Sequence, residues 1–143
     1  MAWRRLLHID TRSAELYSAA LAMTFGTWLF LPWETYSTSS TFKYLSVWGA
    51  EWVFGLIVLL IGVIQYGGVI LSLLPHNRHW ILRIIGSELS MVIWCTLAIS
   101  FWLSNPLSTA PVIYTVVTLV STGISIKLSI ESGKVGHFIW RFK

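Results

Sequence analysis

Residues 33–65 read WETYSTSSTFKYLSVWGAEWVFGLIVLLIGVIQ, and the change of character inside them decides the fold class. A polar, hydroxyl-rich segment passes at Trp52 into an uncharged apolar run that lasts to Pro75. Such a run crosses the roughly 30 Å hydrocarbon layer of a bilayer as one helix, which takes about 20 residues. Uncharged stretches lie on both sides of it, from Leu16 to Trp33 and from Leu89 to Ile126, the second broken by Ser104-Asn105-Pro106 and Pro111. The expected fold is therefore all-α, an integral membrane four-helix bundle in a single transmembrane domain (1–143), with spans near 14–31, 52–74, 81–103 and 112–130.

Composition points the same way. Charged residues make up 11% of the chain and hydrophobic ones 55%, against about 25% charged in soluble domains, and mean hydropathy is +0.70. One water-soluble core would not hide that much apolar surface. The net charge of +4 would suit a polyanion, but its distribution argues for a membrane. Arg4, Arg5, Arg12, Arg78, Arg83, Lys127, Lys134, Arg141 and Lys143 fall at the termini or around the second loop, and Lys43 alone in the first. By the positive-inside rule both termini and the second loop are cytoplasmic, in a multi-pass protein of the cell inner (cytoplasmic) membrane, with no nucleic-acid partner.

The flanks fill in the expectation. Residues 1–13, with Trp3, suit an interfacial lead-in, and the first apolar stretch ends in Leu31-Pro32-Trp33 without a small-x-small cleavage site, as an uncleaved signal anchor would. Cys95 is the only cysteine, so no internal disulfide forms, and a small buried apolar role is expected for it. The cluster Ser37 to Thr41 suits a turn and a helix N-cap. Phe42, Leu45 and Trp48 follow at a spacing of three, predicting a short interfacial helix over about 41–48 and a bend at Gly49. Trp28, Trp33, Tyr36, Tyr44, Trp48 and Trp52 fit an outer aromatic belt. Glu34 and Glu51 are expected to be solvated or paired, with Lys43 as one partner.

Packing and polar signals are more specific. Ala14, Ser18, Ala22 and Gly26 recur every fourth residue, a small-residue ridge where two helices approach closely, either within the protomer or between copies. Gly55, Gly62 and the pair Gly67-Gly68 offer close packing or a bend in the second span. Glu88 lies two turns inside the third span, where a carboxylate costs on the order of 2.5–3.5 kcal/mol near the centre of the bilayer and calls for a partner or a function. Gln65 and Lys127 are the candidate partners, and a protonatable gate or ion-coupling site is the alternative. Thr115, Thr118, Thr122, Ser125 and Ser129 form one hydroxyl stripe on the fourth span, with Lys127 nearly opposite. If Lys127 turns inward to Glu88, the stripe faces lipid, a second subunit or a pore; if the stripe turns inward, Lys127 snorkels to the headgroups. Both arrangements stand at this level.

No phosphate-binding glycine loop, HExxH, CxxC or serine-elbow pattern occurs. His8, His76, His79 and His137 map to the cytoplasmic side, and the His76/His79 pair lacks a third ligand. The expectation is a non-enzyme with no catalytic residue, metal or cofactor.

From Leu29-Phe30-Leu31-Pro32 through Glu34-Thr35-Tyr36-Ser37-Thr38-Ser39-Ser40 to Gly49-Ala50-Glu51-Trp52-Val53-Phe54-Gly55, within residues 25–65, the chain resembles small uncharacterised four-span membrane proteins encoded in phage and bacterial genomes. The resemblance implies a phage context and carries no site residues. With the small size and the two stripes, it frames the leading expectation: a protein that self-associates as a homo-oligomer in the cytoplasmic membrane, with holin-like permeabilisation as its concrete mechanism. Two alternatives accompany it, a non-catalytic accessory or anchoring subunit of a larger membrane or virion complex, and a small ion-coupled channel or transporter using Glu88.

Overall fold

The computed structural model describes residues 11–31, 35–38, 40–74 and 80–140, and within them the side chains of all but 35, 38, 40, 41, 43, 48 and 133–140. The described elements are all helical: α1 (Arg12–Phe30), the single turn α2 (Thr35–Thr38), a 3₁₀ segment (Ser40–Trp48), α3 (Glu51–Leu71), α4 (Trp80–Ser104) and α5 (Ala110–Trp140). Of the four long helices, α3, α4 and the Ala110–Ser132 part of α5 are long and apolar enough to cross a membrane. At 19 residues α1 is comparable in length and less apolar. The lead-in at residues 1–10, Pro32 to Glu34, the Pro75-to-His79 turn with both of its histidines, Arg141 and Lys143, and the side chains of Lys43, Lys134 and His137 lie outside the described residues.

Helix boundaries follow local chemistry. α1 stops at Phe30 because Leu31 is extended (φ −74°, ψ 150°), the conformation imposed on a residue that precedes proline. Pro111 sits in the first turn of α5, where its missing N–H has no intrahelical acceptor to lose. α5 outruns the expected end near residue 130 by ten residues, and the sequence after Ile130 contains no proline to stop it.

α1 lies mainly against α3, α3 also against α4, and α4 against α5, while α5 returns to α1 along a loose seam. The α1–α3 contact is the tightest. A Cβ placed on Gly26 would lie 2.4 Å from the Leu59 backbone nitrogen and 2.8 Å from the Gly55 carbonyl oxygen. Most of the small-residue ridge is thus used inside the protomer: Ser18, Ala22 and Gly26 are buried, and Ala14 is half-buried.

The segment 40–48 differs from its expected form. It is 3₁₀ rather than α-helical, and it packs onto the ends of the long helices, with Leu45 fully buried. Its apolar spacing of three explains both differences, because i and i+3 eclipse in a 3₁₀ helix and bring Phe42 and Leu45 onto one edge. Gly49 follows at φ 120°, a conformation that other residues rarely adopt.

At this end of the molecule an aromatic cluster fills the interior. Phe42 stacks on Phe25 and Tyr36 (both 6.3 Å between centroids) and meets Phe101 edge-on at 5.2 Å. Tyr114 stacks on Phe101 at 4.7 Å and on Trp94 at 5.9 Å. Among the residues assigned to a belt, Trp28, Tyr44 and Trp52 are exposed, whereas Tyr36 turns inward. Burial, and then the Glu51 carboxylate, push the Tyr36 phenol well above its ordinary pKa.

Gly26→Leu should force α1 off α3 and lower the detergent-solubilised protein's thermal midpoint, with a cost of at least about 1–3 kcal/mol. Gly67→Ala, where an added Cβ meets nothing within 4 Å, should be neutral or stabilising by about 0.5–1 kcal/mol. Circular-dichroism melts of the two variants check the pair.

Candidate functional site

Polar groups concentrate in the half of the interior opposite the aromatic cluster. Thr11, Glu15 and Ser18 follow one another on α1 at spacings of four and three, while Arg83, Ser87, Ser90 and Trp94 do so on α4 at four, three and four. Each set occupies one face of its helix. Glu15 is fully buried and takes a two-point contact from Arg83, Nε to Oε2 at 2.8 Å and Nη2 to Oε1 at 2.5 Å. Thr11 Oγ1 donates to Glu15 Oε1 at 2.6 Å and accepts from Arg83 Nη2 at 3.3 Å. One layer further in, Ser18 and Ser90 share a hydrogen bond of 3.0 Å, and Trp94 Nε1 donates to Ser18 Oγ at 3.3 Å. The planar guanidinium suits this geometry because it presents two parallel N–H donors to one carboxylate. Glu15 also sits in the first turn of α1, where the helix dipole favours negative charge.

The sequence alone marks Arg83 as a loop-flanking charge and does not reveal this ion pair. The signal that would have found it is the matching spacing of the two polar sets; what the sequence lacks is the pairing of residues 68 apart.

The hydroxyl stripe of α5 is turned toward α4. Ser125, buried, donates to the Glu88 carboxylate. Thr115 accepts from Trp102 Nε1 at 3.1 Å and donates to the Pro111 carbonyl at 2.7 Å. Thr118 and Thr122 bond back to Tyr114 and Thr118 carbonyls, the habit of hydroxyls in membrane helices. Ser129 is exposed. Glu88 therefore meets Ser125 rather than Lys127, and Lys127 Nζ lies 3.8 Å from Glu131 one turn along its own helix. Geometry requires the exchange: residues 125 and 127 are about 200° apart around a helix, so a carboxylate beside one is away from the other.

Gln65, the other candidate partner, is fully buried against Gly86, whose added Cβ would lie 2.8 Å from Gln65 Cα. Among the described residues neither end of its amide has a hydrogen-bond partner, and the buried hydroxyls of Ser87 and Ser121 have none either. Glu88 instead opens onto a groove of about 450 Å³ lined by Met91, Ser125, Ile126, Ser129 and Ile130. A second groove, of about 350 Å³, runs along the α1–α5 seam past Ser18 and Ser121. Cys95 is a half-buried free thiol. Among the described residues no three His, Cys, Asp or Glu side chains come together.

No known protein family matches the chain, and neither a characterised protein nor a solved structure is significantly similar to it.

Arg83→Met should destabilise by about 3–5 kcal/mol, because it strands a buried carboxylate, whereas the double change Glu15→Leu with Arg83→Met should recover most of that loss. Denaturant melts of the single and double variants measure it. Gln65→Leu removes two unpartnered buried polar atoms and should raise stability by about 1–3 kcal/mol; a lower melting midpoint would mean that the amide has a partner in the membrane.

Proposed function

We propose that the chain crosses the cytoplasmic membrane four times, with both termini and the α3–α4 connection inside, and serves as a non-catalytic accessory or anchoring subunit of a larger membrane complex. The orientation rests on nine basic residues on one side against one on the other. α1 counts as a span on physical grounds. Its 19 residues extend about 28 Å, close to the thickness of the hydrocarbon layer, and its one carboxylate is neutralised in the interior by Arg83.

The observation that carries the accessory reading is the direction of α5. The hydroxyls of Thr115, Thr118, Thr122 and Ser125 bond to its own backbone or to α4, while Val112, Ile113, Val116, Leu119, Val120, Ile126 and Ile130 are exposed. A water-filled opening would need the opposite arrangement, since water wets hydroxyls and is excluded by valine and isoleucine. The ridge on α1, the other support for self-assembly into a pore, is largely buried within the protomer, with Gly26 against α3 and Ser18 against α4. Holin-like permeabilisation is accordingly the weaker reading of this geometry. The remaining exterior offers a partner helix an apolar surface shaped by α5.

High-level expression should leave the membrane potential intact, as read with a potential-sensitive dye, and the protein should purify in mild detergent as a defined complex. Leu119→Trp with Val116→Trp should release it from that complex without moving its melting midpoint. Collapse of the potential, or a lone stable monomer with no partner, would overturn the proposal.

A further inference from the structure

Glu88 interrupts the apolar exterior, and the positive charges nearest to it are engaged elsewhere. On its own helix, Arg83 holds Glu15. On α5, Lys127 lies by Glu131. On α3, the described charged residue is Glu51, at the far end, with Tyr66 the titratable group in the half that packs near α4; on α1 the charged groups are Arg12 and Glu15. Among the described residues the hydrogen-bond partner of Glu88 is the Ser125 hydroxyl. A carboxylate within a spanning segment is neutralised by a partner, a proton or an external cation, and the described protein supplies no partner charge.

The groove beside it indicates which cation fits. It is an open groove of about 450 Å³, accessible from the exterior of the helices. Its side-chain oxygens come from Glu88, Ser125 and Ser129, one carboxylate and two neutral hydroxyls, a poor replacement for the hydration shell of calcium or magnesium. The remaining wall is Met91, Ile126 and Ile130, apolar and, at Met91, polarizable. A single negative charge on the wall of a mostly apolar groove matches a cation whose body is itself apolar.

We propose that Glu88, with Ser125 and Ser129, forms an intramembrane binding site for a lipophilic organic monocation. Ser125 holds the carboxylate toward the groove in the occupied state. The proposal rests on α4 and α5 lying in the bilayer, and it uses the intact protomer, whether or not a larger complex forms around it.

Equilibrium binding of tetraphenylphosphonium to the purified full chain in detergent tests it. Binding should be saturable, with one cation per chain. Glu88→Gln should abolish binding, and Ser125→Ala should weaken it severalfold while the melting midpoint stays within a few degrees of the wild type. Should Glu88→Gln fail to fold, dicyclohexylcarbodiimide labelling of the wild type replaces it: Glu88 should be modified, and tetraphenylphosphonium should protect it. No saturable binding, binding unchanged in Glu88→Gln, or labelling unaffected by the cation would overturn the site. Failure of the membrane reading would show separately, as release of the protein from membranes by alkaline carbonate.

Discussion

The contact between Arg83 and Glu15 sets the terms for the rest of the molecule. A fully buried carboxylate on α1 and a nearly buried guanidinium on α4 have to meet, since either one alone would carry an uncompensated charge into an apolar interior. Their meeting fixes the rotation of both helices. With Glu15 turned inward, Ser18 faces Ser90 and Trp94 one turn on, and Gly26 comes against Gly55 on α3. With Arg83 turned inward, Gly86 presses on Gln65 and Glu88 moves round to α5. The helix faces follow from one ion pair and the 3.6-residue repeat.

The interior that results has two unlike halves. Near the start of α1 it is polar, with the Arg83–Glu15 ion pair and with Gln65, Ser87 and Ser121, whose side chains have no hydrogen-bond partner among the described residues. Near the end of α1 it is aromatic, with rings from α1, the 3₁₀ segment, α4 and α5 in contact. Rings hold the 3₁₀ segment over the helix ends through area and shape, whereas the polar half depends on directed bonds. This division gives the outer face of α5 little part in holding the fold together, and leaves it available to lipid or a partner.

Much of this was legible in the sequence, for identifiable reasons. The apolar runs after Trp52 and Leu89 mark α3 and α4 because length and lack of charge are local properties. The four-residue spacing to Gly26 announces a close contact for the same reason. Which helix would fill that contact was not legible, nor was the direction of the hydroxyl stripe, because both depend on pairings between distant residues. Glu15 passed unnoticed since one acidic residue in a first turn is ordinary, and Arg83 was masked by its place beside a basic loop. The spacing of Phe42 and Leu45 was visible, but its meaning changed with the helix type that carried it.

Inward polar groups and an apolar outer face on α5 are the core of this account, and site-directed spin labelling in liposomes tests them most directly. On a Cys95→Ala background, nitroxides at positions 119 and 122 can be compared for collision with lipid-soluble oxygen and with a water-soluble nickel chelate. Position 119 should collide freely with oxygen and little with the chelate, while position 122 should be shielded from both. Ready collision of the chelate with position 122 would contradict the account, because it would place the hydroxyl stripe of α5 in water.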